Sequence, residues 1–108
     1  MEAGLATGAD AARLLALGLA PRCRRILIEI EDLEPEAAEA EAAAILAQLD
    51  PAGPERQLHG FNRSAWPMAR RAVALGLMLR LGLEDVAELP DGSPAADNAA
   101  LIAAGLRL

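Results

Sequence analysis

Short apolar runs alternate along the chain with longer segments rich in alanine and leucine. The clearest run, Arg25-Ile-Leu-Ile-Glu-Ile30, is β-branched and lies between turn and acidic residues, which is typical of a buried strand. Comparable positions near residues 1–5, 56–60 and 78–83 predict three more strands. Helical segments separate these runs, so the order is βαβαβαβα, an alternation that predicts a parallel sheet.

Capping and turn residues mark the ends of the predicted helices. Thr7 or Asp10 can cap the first helix, and Gly18 or Gly76 can end a helix in the left-handed conformation. Proline at the first helical position is typical of the others. The predicted helices start at Thr7 or Asp10, at Pro35, at Pro67 and, after a cap at Ser93, at Ala95, and they end near Leu17, Leu49, Leu75 and Ala104.

One αβ unit occurs twice in the chain. Leu15-Ala-Leu-Gly-Leu19 precedes one strand with an acidic end, and Val73-Ala-Leu-Gly-Leu77 precedes another. The 108 residues have room for one domain, here taken as 1–108. A parallel sheet of four strands is either a small open α/β sheet or about half of a (β/α)8 TIM-type barrel, whose full form needs about 250 residues.

The net charge of −6 and the pI near 4.7 exclude nucleic acid as a favoured partner, because a phosphate backbone would be repelled. The single cysteine, Cys23, cannot form an internal disulfide. Neither a signal sequence nor an apolar run long enough to cross a membrane is apparent. We therefore expect a cytoplasmic protein that does not span a membrane.

The segment Arg80-Leu-Gly-Leu-Glu-Asp85 is the best-marked candidate site, because residues at the carboxyl ends of parallel strands form binding sites. The two-residue period of a strand predicts Arg80 and Glu84 on one face and Asp85 on the other. One interpretation is a salt bridge at a strand end. The other is a site in which Arg80 binds an anion such as a carboxylate, Glu84 binds a metal or substrate, and Asp85 acts as base or orienter.

His59 and Asn62 follow the third predicted strand and are candidates for substrate binding. His59 precedes Gly60, which allows a ligand to approach, and Asn62 lies before the amino end of a helix, a position that favours anions. A surface or hydrogen-bonded histidine is the alternative. Glu2 and Glu29 are predicted at the matching ends of the other strands, where plain solvent exposure is the favoured interpretation of each residue by itself.

Eight segments occur in an order that resembles a known enzyme family. They are Glu2-Ala-Gly-Leu5, Gly18-Leu-Ala-Pro-Arg-Cys23, Ile26-Leu-Ile-Glu29, Leu58-His-Gly60, Trp66-Pro67, Arg80-Leu-Gly-Leu-Glu-Asp85, Leu89-Pro-Asp-Gly92 and Asp97-Asn-Ala-Ala-Leu101. This order resembles the carboxyl-terminal half of the β-keto acid cleavage enzymes, which include 3-keto-5-aminohexanoate cleavage enzyme.

The resemblance implies a zinc-containing (β/α) barrel that converts a β-keto acid and acetyl-CoA into acetoacetate and a new acyl-CoA. It implies Glu84 as a zinc ligand, Asp85 as a catalytic acid/base, Arg80 as the cation that anchors the substrate, and Glu2 as a further active-site acid. Such enzymes take two more zinc ligands from a His-x-His pair, and His59 is the only histidine here. One carboxylate does not hold zinc.

Three hypotheses follow from the sequence. The chain is a barrel half whose activity needs the amino-terminal half, or a non-catalytic remnant that forms homo-oligomers through its sheet edges, or a small α/β binding module. Open strand edges favour association in the first two cases.

Overall fold

The computed structural model describes residues 1–108 and contains one four-stranded parallel sheet in the order β1-β2-β3-β4. Four helices alternate with the strands, which confirms the α/β fold with half the strands of a TIM barrel. The strands are β1 (Glu2–Leu5), β2 (Arg25–Glu29), β3 (Glu55–His59) and β4 (Met78–Leu79). The helices are α1 (Gly8–Ala16), α2 (Pro35–Leu46), α3 (Ala65–Leu75) and α4 (Asn98–Gly105).

The first three helices cover one face of the sheet. Ile26 and Ile28 of β2 point to this face and are at most 1% exposed. The alanines Ala38, Ala42 and Ala72 let the helices lie close to the strands, and all three are buried. A core of small and branched side chains therefore replaces the aromatic residues that the composition lacks.

The opposite face, which we call the inner face, carries mostly polar side chains. The pairing of Glu2 with Arg25 and of Glu29 with His59 places these four residues on it. No helix covers this face, and both edge strands, β1 and β4, have one free side. The sheet is therefore one-sided, as in one part of a barrel wall.

The fourth strand is shorter than the predicted range 78–83 and ends at Leu79. Beyond it the backbone turns, because Asp85 N–H donates to the Gly82 carbonyl at 2.9 Å and Leu83 N–H to the Asn98 side chain at 2.8 Å. These bonds replace the sheet ladder. The alternation predicted for Arg80, Glu84 and Asp85 is therefore wrong, because Glu84 and Asp85 lie in a turn and Arg80 lies in the irregular segment before it.

The last helix begins at Asn98 and not at Ala95. Asp97 is its N-cap and accepts from Ala100 N–H at 2.8 Å. The predicted cap, Ser93, instead donates its hydroxyl to Asp91 at 2.6 Å within a turn. Both residues were chemically suited to cap a helix, and the tertiary position of α4 selects the second.

Trp66 joins α3 to the carboxyl-terminal part of the chain. Its indole N–H donates to the Glu88 carbonyl at 2.8 Å, and the residue as a whole is 7% exposed. A second cluster surrounds it, with Ala65, Ala69, Val86, Leu101 and Ala104. This cluster fixes the segment that follows β4 against the helices, and with it the residues of the candidate site.

We expect Gly60→Ala to destabilise the chain by about 1–3 kcal/mol, the usual cost of overpacking. A Cβ at this position would lie 2.5 Å from the Ser64 carbonyl oxygen, so the tight β3–α3 turn would have to open. Gly8→Ala is the matched control, because its Cβ would meet Ala44 at 3.5 Å, an ordinary contact. Urea denaturation measures both, and equal stability of the two variants would contradict this account of the turn.

Candidate functional site

His59 lies between two carboxylates at the carboxyl end of the sheet. Its Nε2 is 3.7 Å from Glu29 Oε2, and its Nδ1 is 3.7 Å from Asp85 Oδ2. The side chain is 2% exposed and packs edge-on against Phe61, with ring centroids 5.3 Å apart. Burial lowers the pKa of His59 from its ordinary value of 6.5, although Asp85 and Glu29 act to raise it. Burial thus favours the neutral form of the ring.

Asp85 is the buried acid of the site, with a side chain that is 2% exposed. Arg80 Nε lies 3.3 Å from its Oδ2. The backbone also fixes the residue, because Asn62 N–H donates to the Asp85 carbonyl at 2.8 Å. The turn after β4 is thus attached to the loop after β3, and this attachment holds the acid beside the guanidinium.

Arg80 binds a second carboxylate closer to solvent. Its Nη2 is 3.1 Å from Glu84 Oε1, and these two side chains are 45% and 60% exposed. The Glu84 backbone N–H and the Arg80 guanidinium hold the pKa of Glu84 below its ordinary value. A Cβ at Gly82 would lie 2.7 Å from the Glu84 carboxylate, so glycine there leaves room for this conformation.

Glu29 reaches the site over a glycine of the neighbouring strand. A Cβ at Gly4 would lie 2.6 Å from Glu29 Oε1. The absence of a side chain at Gly4 therefore gives the Glu29 carboxylate its position beside His59. Plain solvent exposure, the interpretation that the sequence favours for Glu29, describes only part of its surroundings, because its side chain is 36% exposed and faces His59.

The structure brings Arg80, Glu84, Asp85 and His59 together. The side chain of Asn62 points elsewhere and donates to Asp32 at 3.4 Å. Glu2 lies at the amino end of β1, paired with Arg25 at 3.5 Å, at the other end of the sheet. Its expected position at a carboxyl end is therefore wrong, because β1 begins at Glu2 and ends at Leu5.

An ion-pair cluster that the sequence did not indicate borders the site. Arg63 donates to Asp32 at 2.9 Å and to Glu34 at 2.6 Å. Arg63 holds the pKa of Asp32 below its ordinary value. Because about thirty residues separate the partners in sequence, no local pattern could have indicated the contact. The cluster ties the loop after β2 to the loop after β3.

The residues of this chain do not fit a zinc site on their own. Zinc requires at least three protein ligands, and no group of three His, Cys, Asp or Glu side chains is arranged to hold a metal ion. Glu84, the implied ligand, has its carboxylate bonded to Arg80.

The family model described as beta-keto acid cleavage enzyme matches residues 11–108, nearly the whole chain. The chain belongs to this family. The Arg80-to-Asp85 segment and the turn at Leu89-Pro-Asp-Gly92 both lie inside the matched range of the beta-keto acid cleavage enzyme model. No curated protein and no solved structure gives a match. None of the helices is both long and apolar enough to span a membrane.

We expect the stability of the chain to fall as the pH is lowered from 6.5 towards the depressed pKa of His59. The unfolded histidine takes up a proton at about its ordinary pKa, whereas the buried ring resists it, so the unfolded state gains protons first. The slope reaches at most about 1.4 kcal/mol per pH unit. Urea denaturation between pH 7 and pH 5 measures it.

His59→Gln is the control, because glutamine has no titrating group in this range and should remove the slope. A slope that persists in this variant would contradict the assignment to His59. Asp32, Glu84 and Asp91 titrate lower, because their pKa values lie below the ordinary 3.8 to 4.5. Their contribution is present above those values and is lost as the pH falls further.

Proposed function

We propose that the chain provides the carboxyl-terminal active-site residues of an enzyme that cleaves a β-keto acid with acetyl-CoA. The observation that carries the proposal is the contact of Arg80 with the buried Asp85 at 3.3 Å, within the matched family segment. The products would be acetoacetate and a new acyl-CoA. Membership of the family supports the class of reaction, and the geometry supports the roles of the two residues.

Arg80 is suited to anchor the carboxylate of a β-keto acid. Its guanidinium is 45% exposed and already binds Glu84 and Asp85. The planar donor group can bind a substrate carboxylate in bidentate fashion when Glu84 moves aside. Anchoring here would place the carbon between the keto and carboxylate groups near Asp85, which a positioned base requires.

Asp85 is suited to move the proton of the reaction. A proton must leave the carbon next to the keto group so that this carbon can bond to the acetyl group of acetyl-CoA. The released thiolate of CoA then takes the original acyl group as the old carbon–carbon bond breaks, and the proton returns to give acetoacetate. Burial and the contact with Arg80 hold the Asp85 carboxylate in one position, which favours its action as a general base.

The zinc that the resemblance implies enters no step of this proposal. Glu84 could supply one ligand, and the remaining ligands would have to come from residues outside these 108. His59 is the only histidine of the chain, and it is held between two acids. We propose that such ligands belong to further barrel strands that close the sheet.

The assay measures acetoacetate formation from acetyl-CoA and a β-keto acid by the chain together with the complementing barrel strands. We expect Asp85→Asn to lower this activity by about 10²–10⁴-fold, as is typical of a lost general base. Arg80→Gln should raise the KM for the keto acid more than it lowers kcat. Arg70 is an exposed arginine on α3, so Arg70→Gln is the matched control and should leave kcat and KM unchanged. Full activity of Asp85→Asn would refute the role of Asp85.

A second candidate function, a non-catalytic oligomerising module, is favoured by the free edges of the sheet. Met78 on the edge strand β4 is 39% exposed. Ile102 of α4 is 51% exposed, and Leu106, the residue after this helix, is 84% exposed. Large apolar side chains beside an unpaired strand are typical of a contact surface. The same edge would receive further strands if the barrel is completed by another polypeptide segment.

We expect the isolated chain to associate in a concentration-dependent way, because association would remove the apolar side chains and the unpaired backbone of the β4 edge from water. Size-exclusion chromatography with light scattering between micromolar and millimolar concentrations measures the mass. Ile102→Lys should shift the equilibrium towards monomer, whereas Ala12→Lys, on the exposed side of α1, should not. A monomer at all concentrations would contradict the proposed contact surface at β4.

A further inference from the structure

Two buried polar atoms of the site face each other without hydrogen bonds. His59 Nδ1 and Asp85 Oδ2 are among three buried side-chain polar atoms that make no hydrogen bond, and they are 3.7 Å apart. Arg80 Nε forms an ion pair with Asp85 Oδ2 at 3.3 Å but is not aligned for a hydrogen bond to it. An unsatisfied buried polar atom costs about 1–3 kcal/mol. A shift of about 1 Å would bring the two atoms to hydrogen-bonding distance and remove both penalties together.

The surroundings of the ring decide which nitrogen carries its proton. A neutral imidazole has one N–H, and each nitrogen of His59 faces a carboxylate. Glu29 is 36% exposed, so water can donate to its oxygens, whereas Asp85 is 2% exposed and water cannot reach Oδ2. Asp85 therefore needs a donor from the protein more than Glu29 does, and the Nδ1–H tautomer of His59 supplies it.

We propose that His59 is a positioning residue that donates Nδ1–H to Asp85 Oδ2 and holds this carboxylate beside Arg80. The proposal rests on the proposed role of Asp85 in β-keto acid cleavage. His59 would then act through Asp85 and not on the substrate, because its ring is 2% exposed and covered by Phe61. This replaces the substrate-binding role expected for His59 from the sequence.

The geometry gives the arrangement a chemical consequence. Arg80 Nε, from the segment after β4, and His59 Nδ1, from the end of β3, approach the same oxygen of Asp85. Two donors on one oxygen fix the plane of the carboxylate, and a base held in one orientation reacts faster than a rotating one. Loss of one donor should therefore lower kcat with little change in KM.

The decisive test uses the isolated, 15N-labelled chain and needs no activity. Because His59 is the only histidine, its imidazole gives one unambiguous set of long-range 1H–15N correlations. We expect the Nδ1–H tautomer to exceed the Nε2–H tautomer by about tenfold at pH 7. A predominant Nε2–H tautomer, or a charged ring, would overturn the proposal.

Two variants give the assignment to Asp85 a matched pair. Asp85→Asn weakens the acceptor at Nδ1 and should shift the ratio towards Nε2–H by about tenfold. Glu29→Gln weakens the acceptor at Nε2 and should keep Nδ1–H dominant. A shift in Glu29→Gln but not in Asp85→Asn would overturn the proposal, and if Asp85→Asn does not fold, the wild-type and Glu29→Gln spectra still decide it.

Substitutions of His59 separate positioning from simple structural support. The amide nitrogen of asparagine lies near the position of Nδ1, whereas that of glutamine lies near Nε2. In the complemented enzyme, His59→Gln should lower kcat by about 100-fold with KM unchanged, and His59→Asn should restore most of it. Equal losses in both variants would overturn positioning. The absence of all activity beside an Nδ1–H tautomer in the wild-type chain would refute the function and leave the hydrogen bond established.

Discussion

The burial of a carboxylate, Asp85, is the constraint on which the carboxyl end of this sheet depends. An acid removed from water must be compensated by donors, and the chain brings Arg80 from the end of β4 and His59 from the end of β3. The backbone of Asn62 holds the turn in place. The Asp85 residue thus couples the end of β3, the loop that contains Asn62 and the segment that follows β4.

The packing below the site makes this coupling possible. The branched side chains of β2 and the alanines of α2 and α3 form a thin layer between helix and sheet, so the strands stay in register. The register pairs Glu29 with His59 directly. Parallel pairing therefore puts one acid beside the ring, and the turn after β4 supplies the second from the other side.

Much of this fold could be predicted from the alternation of apolar runs and alanine-rich segments, since each of the four strands and helices corresponds to a pattern in the sequence. The length of β4 could not, because Asn98, fifteen residues further on, takes the Leu83 N–H that a longer strand would use. The convergence of Glu84 and Asp85 on Arg80 could also be predicted, because the three residues lie within six positions of the sequence. The burial of His59 was not, because it depends on Phe61, Glu29 and Asp85, which meet only in the folded chain.

The inner face explains why such a site can be well formed and still depend on what covers the sheet. Its polar residues lie in two groups, with Arg25 and Glu2 at one end and Glu29, His59 and Arg80 at the other. In water such charge pairs contribute little, whereas inside a closed barrel the lower dielectric strengthens them several-fold. Asp85 and His59 already have the surroundings of an interior, while Arg80, Glu84 and Glu29 remain half in solvent. Closure of the barrel over this face would therefore change the electrostatics of the outer residues far more than those of Asp85, and we infer that the base is organised by this chain before the substrate site is complete.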